Sequence, residues 1–401
     1  MELLQLIIKI LEAIIFIYMA FAAIYILIFA FAGLFSARKK KVVDARERKM
    51  AVLIPGYKED SVIIEVARDA LNQNYPKELF DVVIIADTFQ PQTIEILKQL
   101  PIKLVEVSFE VSTKSKALRQ AMAEIGNEYE VAVILDADNL MEVDFLKKVN
   151  DAFSRGFKVV QGHRMAKNLN TSFAILDAIS EEVNNHIFRK GHRVLGFSSA
   201  LIGSGMAFDY PFFKTTMAEV NAVGGFDKEL ELRLLKDRQK IEYLNDALVE
   251  DEKVQKSEVF ANQRKRWLSA QFIYFRRYFF TGLKHLLLKG NFDLFDKVYQ
   301  MIAPPRVLLI GLTSIITLLY FLLYWMFSGI SFLLFTGFDW LGVTLVVYLA
   351  FFLSIPMKFY TKKTMKAIFT LPKAFLLMFF SLFKLKGANK KFIHTSHGVD
   401  K

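Results

Sequence analysis

The sequence predicts an α/β domain with a mainly parallel sheet, set between membrane-spanning helices. Three observations carry this. Short β-branched runs alternate with helical patterns between Met50 and Trp267. Three stretches of 18 residues or more lack any charge. The pentad Gln263-Arg264-Lys265-Arg266-Trp267 sits where the first pattern gives way to the second.

The first uncharged stretch, Ala13 to Phe35, has 23 residues, enough at the helical rise to cross about 30 Å of hydrocarbon. It outruns the core of a signal peptide, and its N-terminal flank holds only Lys9 against Glu2 and Glu12. Seven Lys or Arg follow it between Arg38 and Lys49. A retained anchor is expected, and the positive-inside rule places the basic cluster and the domain after it in the cytoplasm. Val307 to Phe338 and Trp340 to Met357, with a break near Ser328-Gly329, form a hairpin that starts near Arg306 and returns at Lys358, Lys362 and Lys363. The last apolar stretch, Met365 to Phe383, is cut by Lys366, Pro372 and Lys373. It is expected to lie in the interface or re-enter, leaving the basic run Lys384 to Lys391 cytoplasmic. No span carries an interior acid, which argues against a transporter.

Of the 401 residues, 53% are hydrophobic and 39 are Phe, more than a soluble enzyme of this size carries. The net charge of +11 gathers beside the spans, where anionic headgroups attract it, so nucleic acid is not the expected partner. The absence of Cys excludes disulfides and thiolate metal sites. The six His lack a zinc-ligand spacing, and His186 and His192 are expected to be structural or surface residues.

Within the central domain the first strand, Met50 to Ile54, runs into Pro55-Gly56-Tyr57-Lys58-Glu59-Asp60, a turn that opens a helix. Val82 to Ala86 ends at Asp87, and Val131 to Leu135 ends at Asp136-Ala137-Asp138-Asn139. Open α/β sheets bind ligands at the C-terminal ends of their strands, and here three such ends carry acids. An Asp-x-Asp by itself arises by chance about once in a chain this long. After a buried strand, however, residues two apart point the same way, so Asp136 and Asp138 offer hard oxygens suited to Mg²⁺ or Mn²⁺ on a diphosphate. The plain alternative is a turn that merely ends a strand. Ser112 to Leu118 opens a further helix, where Lys114 or Lys116 meets phosphate beside backbone N–H groups or else is solvated.

On a helix, Gln263, Arg266 and Trp267 share one face. Together they present an amide, a guanidinium fork and an indole, a set that suits a sugar and a diphosphate. The plain alternative is a Trp anchor at the membrane interface. As Q-x-x-R-W, the pattern should arise by chance in roughly one chain in a hundred of this length.

In order, the Pro55 to Asp60 turn, Asp87, Lys114, Asp136-Ala137-Asp138, Gly203-Ser204-Gly205, an acidic segment and the pentad resemble the membrane-bound family 2 glycosyltransferases. That group contains the cellulose, hyaluronan and chitin synthases. The likeness covers Met50 to Trp267 by motif and the flanking spans by architecture. It implies an A-type, Rossmann-like nucleotide-sugar domain. Pro55, Tyr57 and Glu59 would line the nucleobase and ribose pocket, Asp87 would contact base or ribose, Lys114 the diphosphate, and Asp136 and Asp138 the metal and nucleotide. Gly203 and Ser204 match a loop near the acceptor, with Trp267 as its platform, Gln263 beside it and Arg266 on the leaving diphosphate. The family places a Thr-Glu-Asp-like triplet, whose Asp is the general base, between a Gly-Gly-Phe/Trp segment and the pentad. This chain has Val223-Gly224-Gly225-Phe226-Asp227-Lys228-Glu229 instead. Counting back from Gln263 without a gap sets Asp227 at the base position, one shift sets Glu229, and Asp251 ranks third.

The resemblance implies an inverting transfer from a nucleotide sugar, a UDP-sugar first, to a hydroxyl of a growing polysaccharide or lipid-linked acceptor. A single-sugar glycolipid synthase is the alternative, with a catalytically inactive membrane scaffold behind it. The expected partition is an anchor at 1–36, a cytoplasmic glycosyltransferase domain at 37–262, interfacial amphipathic helices at 263–303, a transmembrane hairpin at 304–357, and an interfacial helix with a basic tail at 358–401. The expected location is the cytoplasmic (inner) membrane, and three spans would need an oligomer or export partner to complete a polymer pore.

Overall fold

Eight strands form one sheet in the computed structural model, which describes residues 2–38, 40–220, 222, 225–255, 257–327, 333–383 and 385, the side chains of 257, 258 and 260 excepted. They are β1 (Met50–Tyr57), β2 (Phe80–Asp87), β3 (Lys103–Val107), β4 (Val131–Ile134), β5 (Leu140–Met141), β6 (Val159–Ala166), β7 (Met206–Asp209) and β8 (Ile241–Asp251). The helices are α1 (Glu2–Ala32), α2 (Ile63–Ala70), α3 (Pro91–Lys98), α4 (Lys114–Glu124), α5 (Phe145–Ser154), α6 (Ser172–Asn184), α7 (His192–Val194), α8 (Tyr210–Glu219), α9 (Phe226–Lys236), α10 (Ser257–Lys289) and α11 (Phe292–Ile302). They are followed by α12 (Arg306–Phe327), α13 (Gly337–Ser354), α14 (Lys362–Ile368) and α15 (Leu371–Leu382).

Strand order is β3-β2-β1-β4-β7-β6-β8-β5. Along β1, Ala51 and Leu53 face one apolar layer while Met50, Val52 and Ile54 face the other, so the strand is a continuous apolar run because both faces are covered. The first layer takes side chains from α4, α8, α9, α10 and α11, the second from α2, α3 and α5. Parallel register sets Tyr57 beside Asp87 and Leu53 beside Ile134, which brings the ends of β1, β2 and β4 to one edge.

The sheet is mixed rather than mainly parallel. β3, β2, β1 and β4 are parallel, but β7 runs antiparallel to both β4 and β6, with Met206 opposite Ile134 and Gln161. The reversal has a local consequence. β7 begins at the edge where its neighbour β4 ends, so the Gly203-Ser204-Gly205 loop lies against the loop after β4. β7 is four residues long and carries no alternating pattern of its own, which is why the sequence did not reveal it.

Helices α1, α12 and α13 are long and apolar enough to cross a membrane. Ala22, Ala23 and Ala30 of α1 let that helix approach Trp340, Val343, Val347 and Ala350 of α13 closely. Thr317 and Thr344 share a 2.8 Å hydrogen bond between α12 and α13. Because α1 begins at Glu2, Glu12 lies within it, contrary to the expectation of acid-free spans. Its carboxylate accepts hydrogen bonds from Tyr320 Oη and from the backbone N–H groups of Leu334 and Phe335, which satisfies the start of the α13 segment. α14 and α15 meet at a 42° bend and pass as one further span only if taken together. The expected break at Ser328-Gly329 lies outside the described residues, as does the basic run Lys384 to Lys391 except Leu385. The expected 262/263 boundary falls inside α10.

The last turn of α1 is built into the α/β domain. α6 continues into a π-helical turn, Asn185–Gly191, and His192 beyond it stacks on Phe29 with ring centroids 3.6 Å apart. His186 Nε2 contacts Ala30 O at 2.8 Å, so both His are structural, as expected. A Cβ at Gly191 would lie 2.1 Å from Phe29 O. Gly191→Ala should therefore push α1 off the π-turn, cost about 1–3 kcal/mol, and lower the thermal unfolding midpoint in detergent by several degrees. A midpoint equal to wild type would show that the docking of α1 tolerates displacement.

Glu182 of α6 joins β6 to the segment after α13, with His163 Nε2 at 3.0 Å and Lys358 Nζ at 2.7 Å. Burial opposes its ionisation, but these partners prevail and hold the carboxyl at about 2. Because the folded value lies below the ordinary 4.5, the stability it contributes is present above that pH and lost as pH falls from there toward 2. Glu182→Gln should remove on the order of 3 kcal/mol at pH 7 and give a shallower decline of the unfolding midpoint between pH 5 and 3, measured by scanning fluorimetry.

Candidate active site

Two residues at the sheet edge hold left-handed backbone without being glycine, Lys58 with φ 57° after β1 and Thr88 with φ 60° after β2. For a β-branched residue this is an outlier of the kind that clusters at functional loops. Between these loops, Pro55, Tyr57, Glu59 and Asp87 line one wall of a cavity of about 840 Å³. Gly56 is required there, because a Cβ would come within 2.6 Å of the Phe89 ring.

Lys114 opens α4, whose first turn is capped by Thr113. Its ammonium pairs with Asp136 and donates to Gly203 O at 2.7 Å. Lys116 instead donates to Val111 O at 2.8 Å and does not line the cavity, whereas Lys114 does. At the end of β4, carboxylate oxygens of Asp136, Asp138 and Asp251 lie within 4.8 Å of one another. Asn139 ties this cluster together: its Nδ2 donates to Asp138 Oδ1 and Asp251 Oδ1, each at 3.2 Å, and its Oδ1 accepts from the Ser204 hydroxyl. The Asp136 N–H donates to Ser204 Oγ at 2.9 Å, and Gln161 Nε2 donates to Ser204 O at 2.9 Å. Ser204 is thus buried behind the acids as a support, and Gly203 beside it contributes its carbonyl. Neither Gly203 nor Ser204 lines the cavity, whereas Ala200, Leu201 and Ile202 just before them do.

Arg164 offsets the cluster's charge. Its guanidinium lies 3.4 Å from Asp251, 3.9 Å from Asp136 and 3.1 Å from Glu181. Burial works against that cation, yet the three carboxylates raise its proton affinity further. Asp251 is also 2.7 Å from Lys253 Nζ. Burial alone would raise the Asp251 carboxyl, but Arg164 and Lys253 hold it below its ordinary value. Three hard carboxylates gathered in this way suit a divalent cation of the Mg²⁺ or Mn²⁺ type.

The three base candidates separate cleanly. Asp227, at the start of α9, lines the cavity, and its carboxyl carbon lies 3.8 Å from where a Cβ on Gly203 would be. Glu229 is 2% exposed and faces away, paired with Arg233 at 3.0 Å and reached by Tyr274 and Arg277. Asp251 belongs to the carboxylate cluster. The pentad lies on α10, as expected, and Gln263, Arg266 and Trp267 all line the cavity. Arg264 stacks on the Trp267 ring at 4.5 Å and pairs with Asp177 of α6, so the indole is fixed from one side.

Sequence reasoning missed Asn139, Gln161, Arg164, Arg189 and Lys228. Asn139 is adjacent to Asp138 and could have been found as part of that loop. Lys228 likewise sits between two base candidates, Asp227 and Glu229, whereas Gln161, Arg164 and Arg189 come from segments whose place at the site follows only from the order of strands and the π-turn.

Residues 47–270 match the Glycosyltransferase like family 2. A beta-monoglucosyldiacylglycerol synthase of Trichormus variabilis is 27% identical over 232 residues, 54% of this chain and 48% of that one. One from Nostoc sp. is 26% identical over 283 residues, 67% of this chain and 58% of that one. The chain spans about half the length of these curated relatives. Among solved structures, a mannosyltransferase from Pyrobaculum calidifontis, in complex with GDP-Man and Mn²⁺, superposes with a TM-score of 0.50 at 15% identity, over 84% of this chain and 96% of that one, and shares the A-type fold. Since the family match runs across more than half of its residues, the chain belongs to the Glycosyltransferase like family 2.

Proposed function

We propose that the protein is a membrane-bound inverting glycosyltransferase of the Q-x-x-R-W type that moves one sugar from a nucleotide sugar, a UDP-sugar first, to a hydroxyl of a lipid acceptor. One observation carries this reading. A single cavity is lined both by the Asp136, Asp138 and Asp251 cluster and by apolar residues of α12 and α15, such as Val307, Leu371 and Met378. The names of the curated relatives support a single transfer to lipid over a growing polysaccharide. The apolar helices and the basic residues that follow α1 support the inner membrane with the catalytic domain on the cytoplasmic side.

In this reading Pro55, Tyr57, Glu59 and Asp87 hold the nucleoside, and Lys114 meets the diphosphate. Asp136, Asp138 and Asp251 would hold Mg²⁺ or Mn²⁺, which supplies neutralisation of the diphosphate's charge when bound. Asp227 takes the proton of the acceptor hydroxyl as its oxygen displaces the nucleoside diphosphate from the anomeric carbon. Trp267, fixed by Arg264, is the platform for the acceptor, with Gln263 beside it, and Arg266 faces the leaving group.

Nucleoside diphosphate release by the purified protein, across a panel of UDP- and GDP-sugars with Mg²⁺ or Mn²⁺ and membrane lipid, tests the reading. The expected product is lipid carrying one sugar of inverted anomeric configuration; a ladder of product sizes would replace it with a polymer synthase. Asp227→Asn should lower kcat by about 10²–10⁴ while donor binding measured by calorimetry is retained. Glu229→Gln, in protein shown to be folded, should keep kcat within a few fold, and the reverse pattern would transfer the base role to Glu229.

A further inference from the structure

Past Asp227 the cavity changes sign. Its sheet-edge wall carries six acids, Glu59, Asp87, Asp136, Asp138, Asp251 and Glu252, against Lys114, Arg164 and Lys253. The wall built by helices carries Arg189, Lys228, Arg264, Arg266, Lys297 and Arg306, against Asp177, Glu181 and Asp227 alone. Three of those cations are paired with carboxylates, Arg264 with Asp177, Lys297 with Glu231 at 2.7 Å and Arg189 with Glu181 at 3.1 Å. Arg306 donates only to neutral oxygens, Ser180 O at 3.2 Å and Ser180 Oγ at 3.1 Å. Among the described residues, no carboxylate oxygen lies within 4.0 Å of Arg306 or of Lys228.

Lys228 follows the base residue directly. Burial pushes its ammonium down; Asp227 and Glu231 oppose this in part, and Lys297 and Arg189 add to it. A cation in such a place gains from an anion brought in by a ligand. Arg189 is 3% exposed and held in place by Glu181 at 3.1 Å, Asn185 at 2.7 Å and Ala200 O at 3.2 Å. It rides on the π-helical turn, a distortion frequent at functional sites. In the reading above the donor's diphosphate is served by Lys114, the carboxylate cluster and Arg266, which leaves Lys228, Arg189 and Arg306 of the helical wall for an anion on the acceptor. Beyond it the lining turns apolar, at Val307, Leu371, Ala374 and Met378.

We propose that the acceptor is an anionic lipid, with its phosphate among Lys228, Arg189 and Arg306, its acyl chains against Val307, Leu371 and Met378, and a headgroup hydroxyl at Asp227. This rests on the glycolipid reading above and adds to it the charge of the substrate. The headgroup O–H gives its proton to Asp227, its oxygen bonds to the anomeric carbon, and the bond to the nucleoside diphosphate breaks with both electrons on the leaving group.

The test uses the full chain in mixed micelles with the donor found by diphosphate release, and offers phosphatidylglycerol, neutral diacylglycerol, or glycerol 3-phosphate as acceptor. Phosphatidylglycerol should be glycosylated with kcat/KM at least tenfold above diacylglycerol. Glycerol 3-phosphate, which has the phosphate without the chains, should act at least tenfold more weakly than phosphatidylglycerol. Lys228→Ala should raise KM for phosphatidylglycerol about tenfold and leave the donor's KM within twofold, with Lys228→Arg restoring most of the loss. Equal or better use of diacylglycerol would overturn the proposal and leave the glycolipid reading standing. So would a rise in the donor's KM in place of the acceptor's. A polymer ladder without lipid product would overturn both. Should Lys228→Ala fail to fold, Lys228→Gln and the wild-type preference between the two lipids decide the matter.

Discussion

Three carboxylates within 4.8 Å of one another are the constraint around which the site is arranged. Two unit charges about 4 Å apart near a protein surface repel by about 4 kcal/mol, so three together need cations in fixed places. Arg164, Lys253 and Lys114 meet that need from β6, from the segment after β8 and from the start of α4. Each comes from a different part of the chain, so the cluster exists only in the folded state. Glu181 then bridges Arg164 to Arg189, which extends the alternation of charge from the sheet edge to the π-helical turn. Buried pairs of this kind contribute little net stability but are costly to break singly, so they fix geometry more than they hold the fold together.

Much of the central domain was legible because its signals are local. Met50 to Ile54, Val82 to Ala86 and Val131 to Leu135 are apolar runs that end in turn chemistry, and they form the strands β1, β2 and β4 within a few residues of the expected ends. The acids at those ends reach one edge because parallel strands in register must bring their ends together. What was not legible depends on pairing between distant segments. β7 is too short to show a period, and its antiparallel entry is what sets Ser204 behind Asp136. The placement of Asp251 follows the same logic: counting along the sequence set it among the base candidates, and in space it lies beside two other acids and two cations.

The choice between Asp227 and Glu229 illustrates how helical geometry decides what spacing leaves open. Two residues apart on α9, they point about 200° apart, so only one of them can face the cavity. Gly225, with φ of 73° just before the helix, orients the first turn so that Asp227 is the one that does, while Glu229 joins Arg233 on the buried side. Lys228 lies between them in sequence and reaches the cavity from the flank.

The stacking of Phe29 on His192 makes the first helix, long and apolar enough to cross a membrane, part of the packing of the domain. A tether joined by a flexible linker would let the domain bob and tilt over the lipid. Here the final turn of the helix, the π-helical turn and the wall that carries Arg189 form one continuous piece of packing. In the membrane reading, the height of the cavity mouth above the hydrocarbon is then set by the fold itself, like the fixed stop on a depth gauge. In the same reading, acceptors would be sorted by how far their reactive hydroxyl stands from their acyl chains.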